Sequence, residues 1–201
     1  MVVKEAKVPK WVSLWGMPED VLGRIGEQID YFQNATNRLG EQVRDIAQET
    51  IDLLLSSPIP NDIDEQKRDI VERYSAILVQ FASTIADPHS TLNQMWTDME
   101  QSVSFYLLDA GHNDDADPTE IRDLIDELTR QRNRIPALTA KISNLAAAIK
   151  GSAGALPGLE VTITNSSDAF KRTESELNMG AGIMTRLIGM AEHQHKLLKA
   201  E

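Results

Sequence analysis

Apolar residues recur alternately three and four positions apart through the first long segment of the chain. The pattern is carried by Leu22, Ile25, Ile29, Phe32, Leu39, Val43, Ile46 and Leu53, with Thr36 and Thr50 filling two gaps. Such a repeat places its side chains on one face of an α-helix and is typical of coiled-coil seams. It predicts a helix over residues 18–56, which begins at Pro18 and ends before Pro58.

Further helices follow from the same periodicity. They are expected over residues 62–86 and 88–110, over 118–150 and over 166–199. Pro88 breaks or kinks the second of the long segments, and Pro136 kinks the third. In 88–110 the expected apolar stripe is Leu92, Met95, Met99, Val103 and Tyr106. Residues 159–164 alternate β-branched side chains and favour a short extended piece, with the first turns of the last helix as the alternative.

Four long segments of comparable length, joined by short loops, predict an all-α fold. The expected architecture is an elongated up-down four-helix bundle with coiled-coil-like packing, formed by residues 18–201. Its interior is expected to be apolar throughout, so function is sought on the surface and at the ends.

Residues 1–17 are interpreted as an N-terminal tail with apolar and basic side chains and no regular helical pattern. Trp11, Leu14 and Trp15 form the candidate interaction surface, because tryptophan is costly to leave in water. The tail is therefore expected to dock, either on the chain's own bundle or on a partner.

Charge and composition exclude several classes of function. The formal net charge of −11 opposes binding to nucleic-acid phosphates and to anionic lipid across the whole surface. A local basic cluster at Lys4, Lys7 and Lys10 is interpreted as a solvated tail. The chain has no cysteine, which excludes disulfides and thiol chemistry. It has neither a signal-peptide core nor an apolar run long enough for a membrane helix, so a cytoplasmic location is expected.

No catalytic, cofactor-binding or metal-binding residues are predicted. Glu192 and His195 have the Glu-x-x-His spacing of di-iron bundles, which requires a second copy. The only similar spacing, Asp109 to His112, straddles a helix end. The acidic stretch 114–127 is interpreted as a solvated face, with a loose cation or basic-partner site as the alternative.

Residues 149–156 (IKGSAGAL) resemble the helix motif of histidine phosphotransfer domains, which are also four-helix bundles. The phosphorylated histidine of that family falls at Ala147 in this chain. Without an imidazole at that position, phosphotransfer is excluded there.

The sequence therefore favours a non-enzymatic helical bundle that acts by protein–protein interaction, as an adaptor, scaffold or self-assembling unit. The alternative is an amphipathic bundle that binds an apolar surface such as a membrane, a lipid particle or a storage granule. A third hypothesis is a helical enzyme or metalloprotein. No small-molecule substrate is evident.

Overall fold

A computed structural model describes residues 10–56, 60–86, 89–112, 116–153, 158 and 160–200. Over these residues the chain is all α-helical, without a β-strand. The helices are α1 (Lys10–Trp15), α2 (Pro18–Ser56), α3 (Pro60–Ala86), α4 (His89–Ala110), α5 (Pro118–Ala153) and α6 (Glu160–Leu198). The prediction of an all-α fold is confirmed.

The helix starts follow the expected chemistry. Pro18 and Pro118 occupy the first turns of α2 and α5, where the missing N–H costs nothing. Asp117 caps α5 by accepting a hydrogen bond from the backbone N–H of Thr119 at 2.8 Å, and this bond lowers the pKa of the Asp117 carboxyl. Pro136 lies inside α5, which continues through it to Ala153.

The buried residues of the long helices keep the alternating spacing of three and four. In α2 the predicted stripe is buried from Leu22 to Ile46, whereas the side chain of Leu53 lies outside the described residues. In α5 the buried positions are Ile121, Leu124, Leu128, Gln131, Ile135, Leu138, Ile142, Leu145 and Ile149. In α6 the positions that follow the spacing are Ile163, Ser166, Phe170, Thr173, Leu177, Gly180, Met184, Leu187 and Ala191.

Two expectations about local structure are wrong. Residues 160–164 are helical, because Ile163 is buried in phase with the α6 stripe and this burial outweighs the β preference of the segment. The tail is not irregular throughout, since Lys10–Trp15 forms α1. Leu159 and residues 1–9 lie outside the described residues.

The expectation of a wholly apolar interior is also wrong. Thr36, Ser102, Gln131, Ser166 and Thr173 are buried. In three of them the side-chain hydroxyl donates a hydrogen bond to the carbonyl four residues earlier in the same helix: Thr36 to Phe32 at 2.7 Å, Ser166 to Thr162 at 2.8 Å and Thr173 to Ala169 at 3.0 Å. A hydroxyl satisfied in this way is buried at little cost.

The described residues form two compact units. Unit 1 lies within Met1–Ile29, Thr91–Ile135 and Met179–Glu201, and unit 2 within Asp30–Ser90 and Pro136–Asn178. The helices α2, α5 and α6 each contribute to both units, whereas α4 lies in unit 1 from Thr91 onward. In unit 2, Arg73 of α3 pairs with Glu49 of α2 at 2.6 Å, and Ser75 shares a hydrogen bond of 3.4 Å with Thr162 of α6.

The core of unit 1 contains two close contacts between glycine and a larger side chain. A Cβ on Gly180 would lie 2.5 Å from ring atoms of Trp96, and a Cβ on Gly26 would lie 2.9 Å from Nε2 of Gln131. Trp96 takes the buried position of α4 that the sequence assigned to Met95, which is half-buried. Among the residues that the structure describes, the helices lack the run of apolar sequence that a membrane span requires.

Candidate functional site

The three residues predicted as an interaction surface fall on α1 and have different environments. The ring of Trp15 stacks on Phe105 of α4, with 5.0 Å between ring centroids and an angle of 7° between the planes. Leu14 is 67% exposed. The side chain of Trp11 lies outside the described residues. One of the predicted residues therefore packs on the chain's own helices, and another faces solvent.

Gly16 and Ser102, which the sequence did not single out, fix the end of α1 to α4. Gly16 has a left-handed backbone with φ of 81°, which ends α1 and turns the chain towards α2. Its carbonyl accepts a hydrogen bond of 2.7 Å from Oγ of Ser102, a fully buried residue. A buried hydroxyl paired with a backbone carbonyl resists displacement by water.

A surface cleft in unit 1 adjoins this attachment and is called here the unit 1 cleft. Its cavity volume is about 540 Å³. It is lined by Met17, Pro18, Glu19, Leu22 and Gly23 from the start of α2 and the residue before it, Tyr106 from α4, and Glu120, Asp123, Leu124, Glu127 and Arg130 from α5. The sequence placed none of these residues together, because three separate helices supply them.

Burial divides the lining into a floor and a rim. Pro18, Leu22 and Leu124 are buried and form an apolar floor, next to the half-buried Met17. The rim carries the carboxylates of Glu19, Glu120, Asp123 and Glu127 and the guanidinium of Arg130. The unit 1 cleft thus combines an apolar floor with a net negative rim.

Tyr106 connects the floor to the rim. Its hydroxyl donates a hydrogen bond of 3.0 Å to Oε2 of Glu120. Desolvation raises the pKa of the Tyr106 phenol, and the hydrogen bond to Glu120 raises it further. The phenol therefore stays neutral at physiological pH, and Glu120 keeps a fixed donor.

Glu127 holds the inner part of the rim. It forms an ion pair of 2.6 Å with Arg130 and accepts a hydrogen bond of 2.7 Å from Nε2 of Gln131. Burial alone raises the pKa of the Glu127 carboxyl, but the donors Arg130 and Gln131 outweigh it, so that the pKa lies below its ordinary value. Glu19 and Asp123 have neither an ion-pair nor a hydrogen-bond partner among the described residues. Glu127 is thus neutralised locally, while the outer rim keeps its negative charge.

A second cavity, of about 450 Å³, lies in unit 2. Its lining mixes both signs of charge, with Glu41 beside Arg44 and Lys141. Lys141 is itself occupied, donating a hydrogen bond of 3.3 Å to Oδ1 of Asn37. Because its charges are mixed, this cavity would not select a partner by the sign of its charge. The unit 1 cleft is therefore the stronger candidate for a binding site.

The histidines considered as metal ligands each bond to a backbone carbonyl. Nδ1 of His195 donates to the carbonyl of Pro118 at 3.0 Å, and Nδ1 of His112 donates to the carbonyl of Leu108 at 2.7 Å. Among the residues that the structure describes, no group of three or more His, Asp or Glu side chains is placed to hold a metal ion.

Comparison with known protein families, with curated proteins and with solved structures finds no match to this chain. The chemistry of the chain's own surface is therefore the guide to its function.

Proposed function

We propose that the chain is a non-enzymatic helical-bundle protein of the cytoplasm that acts by binding protein, as an adaptor, a scaffold or a self-assembling unit. The observation that carries this proposal is the unit 1 cleft, a concave surface with an apolar floor and a charged rim. Clefts of this form bind a partner's apolar side chains and orient them by charge.

The fold proposed with this function is an up-down four-helix bundle with coiled-coil-like packing. The spacing of buried residues in α2, α5 and α6 supports it, because alternation of three and four is the signature of knobs-into-holes packing. Each unit also contains four long helical segments: those of α2, α5 and α6 are common to both units, with α4 as the fourth in unit 1, beside the short α1, and α3 as the fourth in unit 2.

Exposed apolar side chains on α6 give further support. Met179, Met190 and Leu197 are each 40–49% exposed, and Met190 and Leu197 lie seven residues apart on one helix face. Methionine adapts its shape to varied partners, and large apolar side chains aligned on one exposed face are typical of interaction surfaces. Met184 of the same helix is fully buried and belongs to the core instead.

Two measurements test this function. Sedimentation velocity over a range of protein concentrations detects self-assembly, and cross-linking followed by quantification of the captured proteins detects a partner. We expect concentration-dependent assembly or a stoichiometric protein partner, weakened by the double substitution Met190→Glu and Leu197→Glu. Thr185→Glu with Ser175→Glu adds the same two charges at exposed positions of the same helix and is the matched control. A protein that stays monomeric at every concentration and captures no partner would contradict the proposal.

The second candidate function is attachment to an apolar surface such as a membrane, a lipid particle or a storage granule. The exposed Leu14 on α1 favours it, because the same helix carries tryptophans. Leu14→Glu is then expected to abolish co-sedimentation with phosphatidylcholine vesicles. Leu108→Glu, which changes another exposed leucine, is the control. Wild-type protein that stays in the supernatant would exclude this function.

A further inference from the structure

Three of the four carboxylates of the unit 1 cleft follow a helical repeat. Glu120, Asp123 and Glu127 lie three and four residues apart on α5, so they project from one face of that helix. At about 1.5 Å of rise per residue, they extend over roughly 10 Å. A second helix lying along this face would meet a carboxylate at each of its own turns.

The floor defines what such a helix must carry. Leu22 and Leu124 close the bottom of the cleft between α2 and α5, and the half-buried Met17 and the exposed Gly23 beside them supply its accessible apolar surface. A polar occupant would lose hydration over this floor without compensation, whereas an apolar side chain would gain by leaving water. The occupant therefore needs apolar side chains one turn apart on the face that enters the cleft.

Gly23 leaves room for them. It lines the cleft on α2, and a Cβ built there would meet no atom within 4 Å. The cavity volume of about 540 Å³ is larger than a single side chain. It therefore fits two neighbouring apolar anchors of a helix, the arrangement found where an amphipathic helix binds a groove.

The rim determines the charge of the occupant. Four carboxylates line the cleft against the guanidinium of Arg130, which is already paired with Glu127. The whole chain adds to this field with its net charge of −11. Lysine or arginine beside the apolar anchors would meet Glu19 and Asp123, which have neither ion-pair nor hydrogen-bond partners among the described residues. Acidic or neutral segments would gain nothing at this rim.

We propose that the unit 1 cleft is the docking site for a basic amphipathic helix of a partner protein. The helix inserts apolar side chains, one turn apart, over Leu22, Leu124 and Gly23, and its basic residues pair with the outer rim. This inference rests on the proposed function and names the class of partner that the function requires.

The test uses a fluorescent synthetic peptide of leucine and lysine, with the leucines at helical spacing, and measures its binding to the full chain by anisotropy. Two changes in the cleft are expected to weaken binding about tenfold each, the equivalent of about 1.4 kcal/mol. Gly23→Phe fills the space above the floor with an aromatic ring, and the pair Glu19→Lys with Asp123→Lys reverses the charge of the outer rim. A second peptide with serine in place of leucine is expected to bind weakly to the wild type.

Matched controls separate docking from general attraction between opposite charges. Gly182→Phe adds the same ring at an exposed glycine of α6 with no atom within 4 Å of its Cβ. Asp45→Lys with Asp168→Lys makes the same charge change at exposed positions in unit 2. Both controls are expected to bind the peptide as the wild type does. Circular dichroism checks that each variant folds. If Gly23→Phe does not fold, the pair Glu19→Lys with Asp123→Lys, whose positions are exposed, still decides the test.

Three results would overturn the inference. Equal weakening by the control pair would show that only net charge matters, and unchanged binding by Gly23→Phe would show that the floor is not used. A variant with Lys4→Ala and Lys7→Ala that binds the peptide about tenfold more tightly, a gain of about 1.4 kcal/mol, would show that the chain's own basic segment is the occupant.

The two proposals fail in different ways. Self-assembly or partner capture that persists in the cleft variants would leave the proposed function intact and overturn the docking site. The opposite result is that the peptide binds with the expected pattern while the chain stays monomeric and captures no partner. This result would support the docking site and count against self-assembly and scaffolding.

Discussion

The indole ring of Trp96 occupies the space that a side chain at Gly180 would need. A Cβ on Gly180 would lie 2.5 Å from both Cε2 and Cζ2 of the ring and 2.8 Å from Cη2. The ring is almost completely buried, and its Nε1 has no hydrogen-bond partner among the described residues. Close packing here takes precedence over both helix propensity and polar pairing.

Gly180→Ala is therefore expected to destabilise the protein. Overpacking a core typically costs about 1–3 kcal/mol, which outweighs the gain of about 1 kcal/mol in helix propensity. Urea denaturation followed by circular dichroism measures the change. Gly182→Ala, two residues further along α6 in open space, should instead stabilise the protein by up to about 1 kcal/mol. If Gly180→Ala changed the free energy of unfolding by the same amount as Gly182→Ala, the indole ring of Trp96 would have to move aside without cost.

Gly26→Ala is expected to act mainly on the electrostatics of the rim. The new methyl group would lie 2.9 Å from Nε2 of Gln131, whose amide is the flexible end of its side chain and can move away from Glu127. Loss of this donor should raise the pKa of the Glu127 carboxyl towards its ordinary value, as measured by carbon-13 NMR titration. Gly23→Ala, one turn earlier in α2 and free of neighbours, should leave the pKa of Glu127 unchanged.

The same variant should change acid stability. Because the pKa of Glu127 is lower in the folded chain, its ionised form stabilises the fold above the unfolded value near 4.3, and this contribution is lost as the pH falls through the folded pKa. Gly26→Ala should therefore show a shallower loss of stability on acidification than Gly23→Ala. Identical acid profiles would show that Gln131 does not tune Glu127.

Ser102→Ala is expected to loosen α1. The substitution removes the donor to the carbonyl of Gly16, and hydrogen bonds of this kind contribute about 1 kcal/mol. Hydrogen–deuterium exchange should accelerate at the described amides of residues 10–16. Ser104→Ala, two positions along α4, is the control and should leave this exchange unchanged. Equal protection in both variants would mean that the stacking of Trp15 on Phe105 alone holds the helix.

Tyr106 should contribute to the loss of stability at alkaline pH. Its pKa is raised in the folded chain, so the fold favours the neutral phenol; this contribution is complete below the ordinary tyrosine value near 10 and is lost as the pH rises above it. Tyr106→Phe cannot ionise at this position, so its denaturation midpoint should fall less steeply above pH 10 than that of the wild type. If the denaturation midpoints of the wild type and of Tyr106→Phe fell in parallel above pH 10, Tyr106 would have the same pKa in the folded and in the unfolded chain.

Periodicity predicted the long helices because burial follows it. The residues from Leu22 to Ile46 are buried as the spacing of three and four requires, and α2 starts and ends where the prolines indicate. The same rule could have identified Ser166 and Thr173 as interior positions of α6. Polar side chains at these positions hide the repeat in the sequence, although a hydroxyl bonded within its own helix also fits a core.

The wrong predictions concern positions where tertiary contacts, and not the local sequence, determine which side chain is buried. In α4, Met95 and Trp96 are neighbours that fit the spacing almost equally well, and only the space opposite Gly180 selects the indole. A helix of six residues such as α1 is too short for periodicity to show. The unit 1 cleft draws on three helices separated by up to about a hundred residues, so nothing short of the fold could have joined Leu22 to Tyr106 and Leu124.

The division of the chain between the two units has a consequence for its biosynthesis. Unit 1 combines residues before Asp30 with residues after Asn178, so the first turns of α2 acquire their last neighbours only when the end of α6 has been translated. At about 5–20 residues per second, the interval is on the order of 10 s. Unit 2 is fully synthesised before this point. During the interval the buried face around Leu22 and Ile25 is incompletely covered on the nascent chain, and chaperone binding or aggregation would compete with folding at this stage.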